Sequence, residues 1–229
     1  MCIRDSFGST LEYRVDTGVA QDLEQYLSTN SIEHKFNESW RGLAKLNWSE
    51  TKDNLNGGLA AQFTEANIGL AYRPVYHDRL NLLSRYAYLY DLVSPDQLVN
   101  RPDQRSHVFS VEALYDLSRR WELGVKLATR RGEVRINRDS GLWFENGVNL
   151  AVFRARYHMT HKWDGVLDYR ILQTVDVDDE RHGALAALYR HVGKNAKVGI
   201  GYNFTDYSDD LTNLDYDAQG FFLDIVGKW

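Results

Sequence analysis

Along most of the chain apolar and polar residues alternate, the period of two that sends successive side chains to opposite faces of a strand. Leu11, Tyr13 and Val15 oppose Glu12, Arg14 and Asp16, and a second strand of weaker parity is read from Tyr26 to Phe36. Gly42, Ala44, Leu46 and Trp48 share a face opposite Lys45 and Asn47, and Ala66, Ile68, Leu70 and Tyr72 oppose Glu65 and Asn67. Leu82, Tyr86, Tyr88 and Tyr90 face away from Arg85, and Phe109, Val111, Ala113 and Tyr115 from Glu112 and Asp116. Trp121, Leu123, Val125 and Leu127 oppose Lys126 and Arg130; Phe153, Ala155 and Tyr157 oppose Arg154 and Arg156. Trp163, Leu167, Tyr169 and Ile171 oppose Asp168 and Arg170, and Leu185, Ala187 and Tyr189 oppose Arg190. Val198, Ile200, Tyr202 and Phe204 make the next apolar face. Phe221, Leu223, Ile225, Gly227 and Trp229 make the last one, opposite Asp224 and Lys228.

The connections sort into two kinds. Short polar turns (NESW, PVYHD, SRRW, THKW, GKNA) recur roughly every 40 residues, the length of two strands of about ten residues with one short and one long connection. Between them lie longer segments at Thr51 to Gly58, Asp91 to Gln104, Arg131 to Trp143, Asp176 to Glu180 and Ser208 to Asp217. This strict alternation predicts an all-β chain of about twelve strands, a transmembrane antiparallel up-and-down β-barrel with its long loops on one side. The competing fold is a soluble β-barrel with a ligand cavity. It would have to bury the charged face as its core, at several kcal/mol per ion, whereas ligand cavities are mostly apolar.

Aromatic placement agrees with a membrane. Trp40, Trp121 and Trp163 stand beside short turns, and Tyr72, Tyr115 and Tyr157 end strands at the same level, as an interfacial girdle requires. The three prolines, Pro74, Pro95 and Pro102, all fall in connections. No apolar run reaches the roughly 20 residues of a membrane helix, a test that barrels escape. A net charge of -5 without a basic run gives no nucleic-acid footprint, and the single Cys2 excludes an internal disulfide.

The face opposite the apolar one carries Lys45, Glu65, Arg85, Glu112, Lys126, Arg130, Arg154, Arg156, Asp168, Arg170 and Arg190, more bases than acids. Hairpin arithmetic sets Glu112 opposite Lys126 and Arg154 opposite Asp168, so these charges are read first as ladders filling a lumen and second as a selectivity element with anion preference. The surplus acids Asp176, Asp178, Asp179, Glu180, Asp209, Asp210, Asp215 and Asp217 belong to the long loops. Their spacing is not that of an EF-hand, so solvated loops are the expectation; a divalent ion bridging them to lipopolysaccharide phosphates is the alternative. No cofactor is implied. Ser106 and His107 suggest a lipid hydrolase, but adjacent strand residues point to opposite faces, and no GxSxG, HExxH or phosphate loop occurs, so no enzyme is expected.

The stretch from about Arg105 to Trp229, above all QRSHVFSVEALYDLSRRWELGVK and VGKNAKVGIGYNFTDYSDDLTNLDYDAQGFFLDIVGKW, resembles the carboxyl-terminal barrel of large porin-like or TonB-dependent-receptor-like proteins of the Gram-negative outer membrane. The final strand resembles the signal read by the barrel-assembly machinery. That resemblance implies Phe221, Leu223, Ile225 and Trp229 as the signal, outer-membrane lipid and the assembly machinery as partners, and further domains upstream. The opening MCIRDS resembles the translation of a transposon end used for sequencing libraries. Residues 1–6 are therefore expected to be a non-native leader and 7–229 the barrel of a larger protein, serving as its membrane anchor or as a porin-like channel.

Overall fold

A computed structural model describes residues 5–18, 22–55, 57–93, 102–136, 141–177, 179–193, 195–207, 209, 211 and 219–227. Their regular structure is all strand: β1 (Ser6–Thr17), β2 (Asp22–Lys35), β3 (Trp40–Asp53), β4 (Gly58–Tyr72), β5 (Leu80–Leu92), β6 (Asp103–Asp116), β7 (Trp121–Arg135), β8 (Phe144–Thr160), β9 (Trp163–Thr174), β10 (Asp179–Val192), β11 (Ala196–Asn203) and β12 (Gly220–Gly227). They form one sheet of twelve strands in which spatial order equals chain order. This is the up-and-down antiparallel β-barrel fold expected from the alternation.

The connections depart from the expected strict alternation. Thr51 to Asp53 and Gly58 are strand, paired as Thr51↔Ala61, Lys52↔Leu59 and Asp53↔Gly58 across a bulge, so the expected long loop shrinks to a turn. Asp179 and Glu180 pair with Thr174 and Gln173 and open β10 instead of lying in a loop. Arg131 to Arg135 extend β7. The supposedly tight turn through Pro74 is longer than either of these, because β4 ends at Tyr72 and β5 starts only at Leu80. The reason is that backbone pairing does not stop where the apolar band stops. A strand keeps its ladder hydrogen bonds beyond the last lipid-facing residue, since every N–H needs an acceptor. The three longest connections, 93–102, 136–143 and 204–219, do all leave odd-numbered strands, so they share one side of the sheet.

Two compact units make up the chain: Met1–Tyr72, Ser84–Phe109 and Arg130–Gly147 in the first, and Arg73–Leu83, Ser110–Thr129 and Val148–Trp229 in the second. In the second, the apolar outer face is fully displayed: Leu167 is 63% exposed, Ile200 59% and Leu223 68%. Its inner face holds the buried residues Val148, Leu150, Val152, Val166, Ala187, Asp164, Asp168 and Arg170. In the first unit, Ile68 is 59% exposed on the outer face, while Asn67, Ser106, Val108 and Arg130 are buried. Aromatic pairs bridge neighbouring outer positions beside short turns: Trp40 with Tyr72 at 4.5 Å in the first unit and Trp121 with Tyr157 at 4.7 Å in the second. Such pairs contribute about 0.5–1.5 kcal/mol beyond the area they bury.

Candidate functional site

The chemistry of the chain lies on its inner face, and each unit builds its part separately. In the second unit the β8–β9 register makes Arg154 and Asp168 partners. The guanidinium grips the carboxylate with both arms, Nε to Oδ1 and Nη2 to Oδ2, each 2.8 Å. Arg170 Nη2 approaches the same carboxylate at 3.6 Å. Asp168 is 3% exposed, so its charge depends on these two arginines. Arg156 pairs with Glu122 on the neighbouring strand at 2.8 Å.

Lys126 does not take Glu112 as its nearest acid. Its ammonium donates to the backbone oxygen of Asp209 at 2.6 Å and lies 3.6 Å from the Asp209 carboxylate. Glu112, Lys126, Arg154 and Asp209 line a small cavity of about 100 Å³. Asp209 is therefore not the solvated loop acid the sequence suggests. The segment that carries it turns inward after β11. Thr205 is 1% exposed and sits over Gly183, where a Cβ would come within 2.4 Å of its hydroxyl. The Thr205 hydroxyl donates to the Ala184 carbonyl at 3.3 Å, and the Tyr207 hydroxyl to the Arg181 carbonyl at 3.2 Å. Burial pushes the Tyr207 phenol up to about 12, which keeps it a neutral donor through the physiological range. Leu211, 6% exposed, completes this tucked-in segment.

At the short-turn end of the same unit Asp164 forms a second centre that sequence reasoning missed. Its carboxylate meets His158 Nδ1 on one oxygen and His191 Nε2 on the other, both at 2.8 Å, with Lys197 Nζ at 3.5 Å. The signal was present: Asp164 follows Trp163, and Trp163 belongs to the apolar face. The missing link was β10, whose parity is the reverse of the expectation. The register sets Arg190 against Trp163 and Leu188 against Gly165, so Arg190 lies on the outer face, with its guanidinium over the Trp163 ring at 5.6 Å. Leu185, Ala187 and Tyr189 point inward instead. The physical reason is a hole in β11: a Cβ on Gly199 would lie 2.2 Å from the Tyr189 ring, so the glycine makes room for that tyrosine on the inner face. Lys197 caps the same ring at 4.3 Å. With Arg190 outside and Glu122 and Asp164 inside, the expected surplus of basic residues vanishes in this unit.

In the first unit the interior is gentler. Arg85 donates to Asn67 Oδ1 through Nε at 3.2 Å and Nη2 at 3.1 Å. Asn67 and Asn47 in turn donate to Glu65 at 2.6 and 3.0 Å. Lys45 has Asn67 as its cross-strand partner and remains exposed. Arg130 is 0% exposed, and Nη2 reaches Gln104 Oε1 at 3.3 Å. Towards the long connections Asp103, also fully buried, accepts both Arg135 Nε and Nη2 at 3.1 and 2.8 Å. The Arg105 and Arg135 guanidiniums both lie over the Trp143 ring, 4.6 and 4.7 Å from its centroid, and Arg105 also pairs with Glu133.

The remaining candidates fall as follows. Trp121, Tyr157, Trp163 and Tyr115 are outward in the second unit, Tyr115 stacking on His77 at 6.3 Å. Phe221, Leu223 and Ile225 pair with Tyr202, Ile200 and Val198 and share the outer face, while Lys228 and Trp229 lie outside the described residues, as do Asp178, Asp210, Asp215, Asp217 and residues 1–4. Ser6, placed in the expected leader, pairs with Glu33 in β1. His107 accepts or donates a 2.7 Å bond to Tyr86 on the outer face, whereas Ser106 is buried on the other, so the two never meet. Among the described residues no group of three His, Cys, Asp or Glu converges on a metal position.

The sequence matches no family model and no curated protein. The fold is similar to solved outer-membrane barrels. A copper transporter, OprC, aligns over 91% of this chain and 41% of its own length, with a TM-score of 0.53 and 10% identity. The toluene transporter TbuX of Ralstonia pickettii aligns over 87% of this chain and 72% of its own, with a TM-score of 0.45 and 9% identity. The translocator domain of the autotransporter NalP from Neisseria meningitidis aligns over 98% and 86%, at 0.34 and 12%. The chain thus spans less than half of the OprC chain, and at these identities the likeness concerns the fold.

Proposed function

We propose that the chain is the membrane-embedded module of a larger outer-membrane protein, an anchor whose interior is closed by its own ion pairs. The observation that carries the membrane reading is the outer face, where Leu167, Ile200, Leu223 and Ile68 stand open as no water-facing surface of a monomer allows. The anchor reading draws on the inner face: Arg154–Asp168, Arg156–Glu122, the Asp164 cluster and Asp209 on Lys126 satisfy charge with charge. In the second unit an interior so balanced has no sign to select with. A second reading, a narrow water-filled channel, is favoured by the buried donors Arg130 Nε and Nη1, Arg156 Nε and Arg170 Nε, which have no acceptor among the described residues and call for water.

Planar-bilayer recording separates the two. The anchor predicts little conductance in the wild type and weak ion preference. It also predicts a clear conductance increase in Lys126→Ala, which releases the inward segment at Asp209. A large, steady wild-type conductance that Lys126→Ala leaves unchanged rejects the closed interior in favour of the channel. The finer likeness, to the carboxyl-terminal barrel of porin-like or TonB-dependent-receptor-like proteins, fits a role as one module among several. Its assembly signal would be the outer face of β12, Phe221, Leu223 and Ile225, continued to Trp229. In cells Trp229→Ala should accumulate in the periplasm yet fold in detergent; normal surface levels would remove that role.

A further inference from the structure

The outer face of the second unit is not uniform. Where Trp121, Tyr157, Ala155, Gly165, Ala186 and Ile200 meet, it sinks into an apolar groove of about 560 Å³. That volume is within the range of small-molecule sites. Its form follows from the register. Gly165 lies between Tyr157 on β8 and Leu188 on β10, and Leu167 between Ala155 and Ala186, so small residues make the floor and large ones the banks. Met159 leans over the floor, since a Cβ on Gly165 would lie 2.8 Å from its methyl. Along β9 the groove runs only from Gly165 to Leu167. At about 3.3 Å per residue it lies within roughly 15 Å of the turn, inside a single leaflet of a core about 30 Å thick.

The charges around this end are segregated. The exposed charges of the turns that border the groove are basic: Arg119 and Arg120 before β7 and Lys162 before β9, with Arg190 over Trp163, while the exposed Asp78 stands in the turn before β5. The acids next to these turns on β7 and β9, Glu122 and Asp164, are on the inner face and already engaged by Arg156, His158 and His191. An apolar slot one leaflet deep, opening onto cations with no acid beside them among the described outer-face residues of β7 to β10, is the complement of an amphiphile with a hydrocarbon tail and an anionic head. We propose that this groove is a specific site for one anionic glycerophospholipid, with an acyl chain lying across Gly165 and the phosphate held between Arg190, Lys162 and Arg120. The site needs only the membrane-barrel fold and stands whether the interior is closed or conducts.

Native mass spectrometry of the full chain in detergent, titrated with phosphatidylglycerol or phosphatidylcholine, tests it. The wild type should retain one phosphatidylglycerol at concentrations where phosphatidylcholine is retained at least tenfold less. Ala186→Phe fills the groove and should lower phosphatidylglycerol retention at least tenfold. Ala155→Phe fills it from β8 and should do the same, which keeps the test valid should one variant fail to fold; heat-modifiable mobility on SDS gels reports folding in each. Arg190→Gln combined with Lys162→Gln should keep lipid binding but lose the preference for the anionic head. Equal retention of the two lipids by the wild type, or unchanged retention in both folded phenylalanine variants, overturns the proposal. So does a dimer mass that the phenylalanine variants abolish, which would make a second copy of the chain the occupant.

Discussion

β9 and β1 carry similar alternation in sequence and very different burial in the structure. In β9 every second residue from Asp164 to Arg170 is buried, and the residues between face outward. In β1 all twelve residues are exposed, on both faces. The charges follow suit. Asp168 is enclosed and held by two arginines, whereas Glu12 pairs with Arg14 two residues along the same strand at 2.6 Å, with both side chains in the open. Alternation therefore specifies which face a residue takes, and the neighbours opposite decide whether that face becomes a core. β9 gains its core from β8 and β10 and from the inward segment behind them. β1 has small or polar inward residues, Gly8, Thr10 and Glu12, opposite Ser31, Thr29 and Leu27.

The sharpest way to break this comparison is to remove one acid from each strand. Asp168→Ala leaves Arg154 and Arg170 without their carboxylate inside the second unit and should cost about 3 kcal/mol, as a broken buried pair does. Glu12→Ala removes an exposed partner and should leave stability unchanged. Urea unfolding in detergent or thin-chain lipid, followed by tryptophan fluorescence, measures both. Replacing Arg154 and Asp168 together by Met and Leu should recover part of the loss, since it removes one of the two orphaned charges and leaves Arg170. Equal, small effects of Asp168→Ala and Glu12→Ala would mean that the inner face of β9 is as wet as β1.

Glycines give the next contrast. Gly199→Ala drives a methyl into the Tyr189 ring at 2.2 Å and should cost about 1–3 kcal/mol, the usual penalty of overpacking. Gly58→Ala, at the start of β4, meets nothing within 4 Å and should be neutral or slightly stabilising through the unfolded chain. In a Tyr189→Ala background Gly199→Ala should cost little, because the two residues share one space.

Strand existence and faces were legible in the sequence because most strands offer only one apolar parity. Trp121, Leu123, Val125 and Leu127 have no competing set within β7. β10 is the exception, and the reason is local. Ala184, Ala186 and Leu188 are as apolar as Leu185, Ala187 and Tyr189, so the strand itself has no preferred face. The choice is made by Gly199 on the next strand and by Trp163 on the previous one, information that a single-strand pattern does not contain. The Arg154–Asp168 pairing followed from counting through a short turn, since hairpin register is local. The Lys126–Asp209 contact spans 83 residues, and Asp209 belongs to a connection with no periodicity of its own. The loop lengths were misjudged because strands continue past the lipid band, where hydrophobicity no longer marks them.

Arg190 gives the smallest effect and the most direct test of the reversed strand. Had it pointed inward, it would join Arg154 and Arg156 on the inner face, and its loss would change interior charge. On the outer face it stacks on Trp163 beside a short turn, where such a contact is worth about 0.5–1 kcal/mol. Arg190→Gln should therefore lower stability by about that amount and leave any bilayer conductance and ion preference as in the wild type. Substituted cysteines separate the faces independently of energy. With Cys2 replaced by serine, Arg190→Cys should be shielded by lipid or detergent. It should react faster with a membrane-soluble maleimide than with a charged, impermeant thiol reagent. Tyr189→Cys, next to it on the inner face, should show the opposite order if water fills the interior, and react with neither if the ion pairs close it. A cysteine at 190 that reacts from the interior, or a conductance that changes sign of selectivity in Arg190→Gln, would return β10 to the parity its own sequence suggests. It would also remove Arg190 from the proposed lipid site.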